Sequence, residues 1–284
     1  MNNSRRNFLR QTALAGAALS MPFGNELMAM AKSNTFGIQL WTVKQALYKD
    51  TVGVLTHLSK SGYKQIEGFE GNNGLFWGMK NTEFKKLMDD LGMNFVSSHC
   101  EISKDFERKA AQAAEIGMKY LICPHKGAQK SIDNFKKFSD EFNACGEIAK
   151  KNGIRFAYHN HDYSFVPMDG IVPQDLMMKS TNPDTVDFEM DMYWTVAAGV
   201  DPIAYMKKFP NRFKLVHVKD MATTAKGEKE SCIVGKGSID YKSLLPQAAA
   251  LGVKYYIVEQ EAYTGTTELD CAKDDAAYLK TLKW

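Results

Sequence analysis

The chain repeats one pattern of apolar and polar positions. A segment with apolar residues at helical spacing ends at a glycine, and a short, almost wholly apolar run follows at once. The copies begin Gly62-Tyr63-Lys64, Gly92-Met93-Asn94, Gly117-Met118-Lys119, Gly153-Ile154-Arg155 and Gly252-Val253-Lys254. Glycine takes the left-handed conformation that ends a helix. A run that is apolar at every position reads as a strand covered on both faces. The segment before Gly117 shows the helical half of the unit. Phe106, Ala110, Ala113 and Ala114 fall on one helical face, with Ser103 as the expected N-cap.

Further apolar runs near 36–41, 186–190 and 213–218 bring the count to eight strands. Helical patterns follow near 43–60, 81–91, 103–116, 131–151, 170–180, 193–208, 241–251 and 267–280. Alternating strands and helices imply a parallel sheet. Eight such units in about 250 residues is the size of a closed barrel. An open doubly wound sheet usually places a glycine-rich phosphate loop after its first strand. Here that position reads Leu40-Trp41-Thr42-Val43. The expected fold is therefore α/β, a (β/α)8 TIM barrel in a single domain over residues 32–284. Two long connections, 71–78 and 220–238, leave the carboxyl ends of their strands and are placed to cover a substrate. Phe76 and Trp77 favour that role for the first. The glycines and small polar residues of the second predict a segment more mobile than its flanking strands.

Composition changes the picture at the amino terminus. Residues 1–31 run from Arg5-Arg6-Asn7-Phe8-Leu9 through an apolar stretch, Thr12 to Phe23, to Ala29-Met30-Ala31. A basic start, an apolar run too short to span a bilayer and small residues at a cleavage site resemble a twin-arginine export signal. Export to the periplasm is the expected localisation, with no stable membrane insertion after cleavage. Loss of Arg5, Arg6, Arg10 and Glu26 leaves 33 basic against 32 acidic residues, a formal charge of +1. Such a body gives no electrostatic footprint for nucleic acid or an anionic membrane. The five cysteines are odd in number and widely spaced. They read as buried small hydrophobes rather than as a disulfide framework.

The chemistry collects at the strand ends. Side chains two apart on a strand share a face, so His159 pairs with His161, Glu189 with Asp191, His217 with Lys219, and Glu259 with Glu261. Of six histidines, five stand at predicted strand ends: His99, His125, His159, His161 and His217. His57 lies within the first helix. Imidazoles and carboxylates converging on one barrel mouth suit a divalent transition ion. No sequence-local ligand motif is present, because each group comes from a different strand.

These strand ends resemble the xylose-isomerase-like barrels, a family of sugar phosphate isomerases/epimerases with inosose dehydratases, ketose 3-epimerases and 3-keto-glycoside lyases or hydratases among its members. The resemblance rests on Gly37-Ile38-Gln39-Leu40-Trp41, Tyr158-His159-Asn160-His161-Asp162, Asp191-Met192-Tyr193-Trp194, His217-Val218-Lys219-Asp220, Gly235-Lys236-Gly237-Ser238-Ile239-Asp240 and Val258-Glu259-Gln260. It implies one divalent ion, Mn2+ first with Zn2+, Co2+ or Mg2+ as alternatives, held by groups on the last four strands. By position these are Asp191, His217 and Glu259, while His159 stands where the family usually carries a glutamate. That departure counts against a symmetrical two-glutamate proton shuttle. It leaves room for elimination or hydration with one base and one acid.

Catalytic candidates are His161, Glu259, Lys219 and His125. His161 is either a ligand or the base. Lys219 either holds an oxyanion or hydroxyl, or forms a salt bridge to Glu259 or Glu261. Substrate-binding candidates are Glu67 and His99 on the opposite wall and Trp41, Trp77 and Trp194 as stacking faces. The expected reaction is proton abstraction next to a carbonyl on a free or glycosidic sugar or keto-sugar: isomerisation or epimerisation first, then lyase, dehydratase or hydratase chemistry. A barrel that binds carbohydrate without turning it over is the further reading, and a homo-oligomer is compatible with all of them.

The export reading has a direct test. An Arg5→Lys/Arg6→Lys double variant should no longer be exported, and the exported wild type should begin at Lys32. Mass spectrometry of periplasmic protein with an intact Met1 would contradict it.

Overall fold

Eight parallel strands close into a barrel in the computed structural model, which describes residues 35–284. The expected export segment lies outside the described residues. The barrel strands are β1 (Gly37–Gln39), β2 (Gln65–Phe69), β3 (Asn94–His99), β4 (Tyr120–Cys123), β5 (Arg155–His159), β6 (Val186–Asp191), β7 (Phe213–Val218) and β10 (Tyr255–Val258). Each pairs with its neighbour in chain order, and β10 closes on β1 through Gly37↔Ile257 and Ile38↔Val258. All five glycines that lead strands have positive φ, from 65° to 108°.

Strand alternation sorts the core into two parts. Outward residues such as Ile38, Ile66, Phe156, Phe188 and Val216 join one large apolar cluster with the helices. Inside the barrel, Tyr120, Ile122, Ala157 and Leu215 form a small separate cluster, with Tyr255 packed against it. Gly37 makes room there: a Cβ at this position would lie 2.7 Å from Ile257 Cδ1 and 2.9 Å from the Gln65 carbonyl. Near the amino-terminal end Asp187 accepts from Tyr120 Oη at 2.9 Å and from Arg155 Nη2 at 3.0 Å. The carboxyl end is thereby left as the polar mouth.

Several expected elements differ in detail, each for a local reason. The first strand stops at Gln39, whose side-chain oxygen accepts the Trp41 N–H and starts a 3-10 turn over Leu40–Val43. The expected 43–60 helix is two, Lys44–Lys49 and Thr51–Ser61, divided at Asp50, which caps the second through the Gly53 N–H. The 193–208 helix is likewise Met192–Ala197 and Pro202–Lys208. Gly199 at φ 77° and the Asp201 cap before Pro202 separate them. Ser103 is not the N-cap. Its N–H donates to Glu101, and Asp105 at φ 53° precedes the helix Phe106–Glu115. Four of the five cysteines are buried and Cys232 is half-buried; all are free.

Both long connections depart from expectation. Phe76 and Trp77 turn inward, at 7% and 5% exposure. Trp77 packs on Tyr48 and Phe69, each at 4.9 Å between ring centroids, so that segment completes the core. Residues 220–238 contain an antiparallel hairpin, β8 (Asp220–Thr223) with β9 (Lys229–Cys232). The Asp220 carboxylate accepts the N–H groups of Met221, Gly235, Gly237 and Ile239. Ser231 Oγ accepts those of Glu261 and Ala262 at 2.8 and 3.0 Å. The glycine-rich segment therefore carries a strand ladder and backbone ties of its own, which the glycines did not signal.

Asp275 adds a pH-dependent tie to the same segment. Its Oδ1 accepts the Val234 N–H at 2.7 Å, and its Oδ2 is buried with no partner. Burial raises its pKa to about 8; the Val234 N–H opposes the rise, and Asp274 and Asp220 add to it. In the unfolded chain an aspartate ionises near pH 4. Between about pH 4 and pH 8 the unfolded state therefore binds fewer protons, and stability falls as pH rises. Asp275→Asn should remove this loss. Its Tm advantage over wild type should grow from about pH 5 to about pH 8 in thermal denaturation followed by circular dichroism. A Tm difference that does not change with pH would mean that folding leaves the Asp275 titration unaltered.

Candidate metal centre

Four neighbouring strands deliver His159, Asp191, His217 and Glu259 to one point, each between 0% and 5% exposed. A register slip between Phe188 and Glu189 brings Asp191 level with His217. One donor atom from each residue lies within 4.8 Å of the other three. His159 Nε2 is 3.4 Å from Asp191 Oδ2, and His217 Nδ1 is 3.3 Å from Glu259 Oε2 and 4.0 Å from Asp191 Oδ2. Ligands about 2.1 Å from a tetrahedral ion stand about 3.4 Å apart. Two imidazole nitrogens with two carboxylate oxygens suit a first-row divalent cation, so the donor set fits one.

The donors are held in place from behind. His159 Nδ1 is 3.2 Å from the Pro124 carbonyl, which can only accept; the proton sits on Nδ1 and the Nε2 lone pair faces the other donors. Asp191 Oδ1 accepts the Trp194 N–H at 3.0 Å, leaving Oδ2 for the site. Asn160 brackets the Asp191 main chain, accepting its N–H at 3.2 Å and donating to its carbonyl at 3.3 Å. Beneath lies a second set of four, Glu67, His99, Glu189 and His217, with the same donor spacing limit. His217 belongs to both.

Electrostatics separates the histidines into two kinds. Burial disfavours charge on His99, yet Glu67 and Glu189 outweigh it and raise its pKa to about 9. His217 is also raised against the cost of burial, by Glu189 and Glu259. Burial, then His217 and His99, lowers His159 to about 3. His161 falls to about 2 through burial and His159, and its Nδ1 is buried without a partner. Burial raises Asp191, whereas Lys219 and His217 overcome burial at Glu259 and hold it well below the usual carboxylate range.

A cavity of about 420 Å³ opens on this centre. It is lined by Trp41 and Phe69 on an apolar side, by His99, His125, His159 and His161, and by Glu70, Glu101, Glu259 and Glu261. No lysine or arginine lines it. Trp41 is edge-on to Phe69 at 5.0 Å and donates from Nε1 to Glu261 at 3.2 Å.

The structure thus brings Trp41, His99, His125, His159, His161 and Glu259 to the cavity, with Asp191 and His217 below its floor. Four expected residues stand elsewhere. Glu67 is fully buried behind His217, and Trp77 is in the core. Trp194 is half-buried outside the lining, its ring 5.4 Å from that of His161. Lys219 is 1% exposed and engaged with Glu259 at 3.1 Å and with Glu261, so the salt-bridge alternative holds. His57 makes a helix contact, its Nε2 3.3 Å from the Leu269 carbonyl. Asn160, Glu189 and Gln39 were missed as site residues. Their common signal was a polar group inside an apolar strand end, and for Asn160 its place between His159 and His161.

The fold and these donors define a class, a closed barrel with a four-ligand candidate metal centre at its carboxyl mouth. Residues 55–282 match the xylose isomerase-like TIM barrel family, and the chain belongs to that family. A sugar phosphate isomerase/epimerase from Parabacteroides distasonis is similar in structure, with TM-score 0.76 and 31% identity over 89% of this chain and 95% of that one. The inosose dehydratase of Clostridium beijerinckii is 26% identical over 62% of this chain and 65% of its own length. The match to that of Clostridium tetani spans 49% of its length at 26% identity. The 3-keto-D-glucoside 4-epimerase of E. coli shares the fold, with TM-score 0.68 and 16% identity over 87% of this chain and 99% of that one.

Proposed function

We propose that this chain is a divalent-metal-dependent enzyme that abstracts a proton next to a carbonyl on a non-phosphorylated sugar or keto-sugar. The observation that carries this reading is the four-donor set opening on a cavity lined by four carboxylates and by no lysine or arginine. A cation held by His159, Asp191, His217 and Glu259 would supply a Lewis acid for a carbonyl oxygen. Mn2+ is the first choice, with Zn2+, Co2+ and Mg2+ as alternatives.

The chain's own residues divide the remaining work. Glu259 is ionised and reaches the cavity, so it is the assigned base. His99 lines the cavity as an imidazolium and is the assigned acid. His161 lines the cavity as a neutral imidazole, since burial and His159 lower its pKa to about 2, and it is assigned a hydrogen-bonding role toward a sugar hydroxyl. Lys219, between Glu259 and Glu261, balances their charge. Trp41 and Phe69 offer apolar faces to a ring. One carboxylate base with one imidazolium acid favours elimination or hydration over a symmetrical epimerisation, in line with the inosose dehydratases among its relatives. A phosphorylated sugar would meet only carboxylates and imidazoles at the wall. Export, read from residues 1–31, points to the same uncharged substrates.

Three measurements test this. Purified wild type should carry one metal ion, and His217→Ala should lose it while keeping the far-ultraviolet circular dichroism of the barrel. Glu259→Gln should lower turnover by about 10²- to 10⁴-fold. Product analysis by NMR in heavy water, with free, glycosidic and phosphorylated keto-sugars, should show elimination or hydration on the uncharged ones. Full activity of metal-stripped protein would sink the metal reading; a preference for phosphorylated sugars would sink the substrate class; unchanged substrates throughout would favour a binding barrel.

A further inference from the structure

His217 has two ring nitrogens and two sets of neighbours. Its Nδ1 faces Glu259 Oε2 and Asp191 Oδ2 above. Its Nε2 faces Glu67 Oε1 at 2.7 Å and Glu189 Oε2 at 3.3 Å below. Both lower carboxylates stand where a strand register slips, at Ile66/Glu67 in the β2–β3 pairing and at Phe188/Glu189 in the β6–β7 pairing. Irregularities of this kind re-aim side chains beside active sites.

Of the two, Glu67 is the better fixed. Gln39 Nε2 donates to its Oε1 at 2.9 Å and Ser97 Oγ to its Oε2 at 2.6 Å, and His99 Nε2 stands 3.1 Å from Oε1. Glu189 keeps one oxygen, Oε1, with no partner. Both nitrogens face carboxylates, but the Glu67 contact is the shorter, 2.7 Å against 3.3 Å to Glu259, so when an ion replaces one ring proton the proton kept is the one on Nε2. A neutral ring then has its lone pair on Nδ1, on the side of His159, Asp191 and Glu259. The other tautomer would turn an N–H toward the ion.

We propose that Glu67 is a positioning residue that selects the Nε2–H tautomer of His217 and so presents Nδ1 as the metal-ligating atom. This rests on the metal centre proposed above. It makes the lower set of four a support for one ion rather than a second ion site. Outer partners of ligating histidines typically change metal affinity by about 10- to 100-fold.

The test uses the full-length mature protein with Zn2+ as a diamagnetic probe. Affinity is read by competition with a chromophoric chelator, stoichiometry by elemental analysis, and the His217 tautomer by NMR of 15N-labelled histidine. Glu67→Gln keeps the shape but offers a weaker acceptor and a competing NH2. It should bind Zn2+ at least about tenfold more weakly and lose the uniform Nε2–H signature. Ser97→Ala, which removes a hydrogen bond on the far oxygen, should stay within about twofold of wild type. Equal affinity in Glu67→Gln and wild type, or an unchanged tautomer, overturns the proposal. So do two ions in wild type with one in Glu67→Gln, which would make Glu67 a ligand. The wild-type spectrum is an independent check should the variant not fold: a Zn2+-bound His217 with the proton on Nδ1 overturns the proposal by itself. Absence of Zn2+ binding by wild type would instead bring down the metal centre on which the proposal stands.

Discussion

Buried charge is the constraint on which the mouth of this barrel depends. Glu67, His99, His159, Glu189, Asp191, His217, Lys219 and Glu259 all lie between 0% and 7% exposed. An isolated ion in such a place would neutralise or unfold the site. These groups coexist because they are layered. Glu67 and Glu189 lie under His99 and His217, and Asp191 and Glu259 lie above, next to Lys219. His217 touches both carboxylate layers, and taking it away sets four carboxylates facing one another with fewer cations between. Breaking a buried pair typically costs about 3–5 kcal/mol. The proposed cation would complete the balance in the upper layer, where two carboxylates face two imidazoles.

The same logic ties the site to the rim. Lys219 has Tyr193 and Trp194 rings 5.3 Å from its ammonium and pairs with Glu261 as well as Glu259. Glu261 in turn receives Trp41 Nε1, and its own N–H donates to Ser231 on the β8–β9 hairpin. The hairpin is thus linked by a short chain of hydrogen bonds and ion pairs to Glu259. The position of the hairpin and the charged groups of the centre thus share one continuous set of contacts.

Much of this was legible in the sequence, for identifiable reasons. The barrel was readable because its signals are local: a glycine that must take positive φ, followed by a run apolar on both faces. The four ligand candidates were readable because strand alternation fixes which face a residue takes and a parallel barrel fixes which end it reaches. Depth was not readable. Glu67 and His99 both face inward, yet Glu67 is the middle residue of β2, level with Ser97 and behind His217, while His99 ends β3 and lines the cavity. Depth depends on where each strand starts and on its register with the next, here shifted at Ile66/Glu67, and neither leaves a mark on composition. Trp77 went wrong similarly, because a tryptophan in a polar loop looks exposed until Tyr48 and Phe69 are placed beside it. Residues 220–238 hid their hairpin behind their glycines. Gly237 leaves space that a Cβ would take from Asp220, 2.4 Å away, so it serves close packing rather than flexibility.

The distribution of charge around the cavity bears on what can enter it. Four carboxylates line the wall, and the nearest buried lysines are already engaged, Lys219 with Glu259 and Glu261 and Lys109 with Glu70 at 2.6 Å. A phosphoryl group would bring about −1.5 to −2 further charges into this field, where the cationic side chain on the wall, the His99 imidazolium, is already paired with Glu67 and Glu189. Neutral hydroxyls face no such penalty. They donate to carboxylates and to neutral imidazoles such as His161, and an apolar sugar face can rest on Trp41 and Phe69. Glu259 belongs both to the buried centre and to the cavity wall, so the charge balance of the one bears directly on the field in the other.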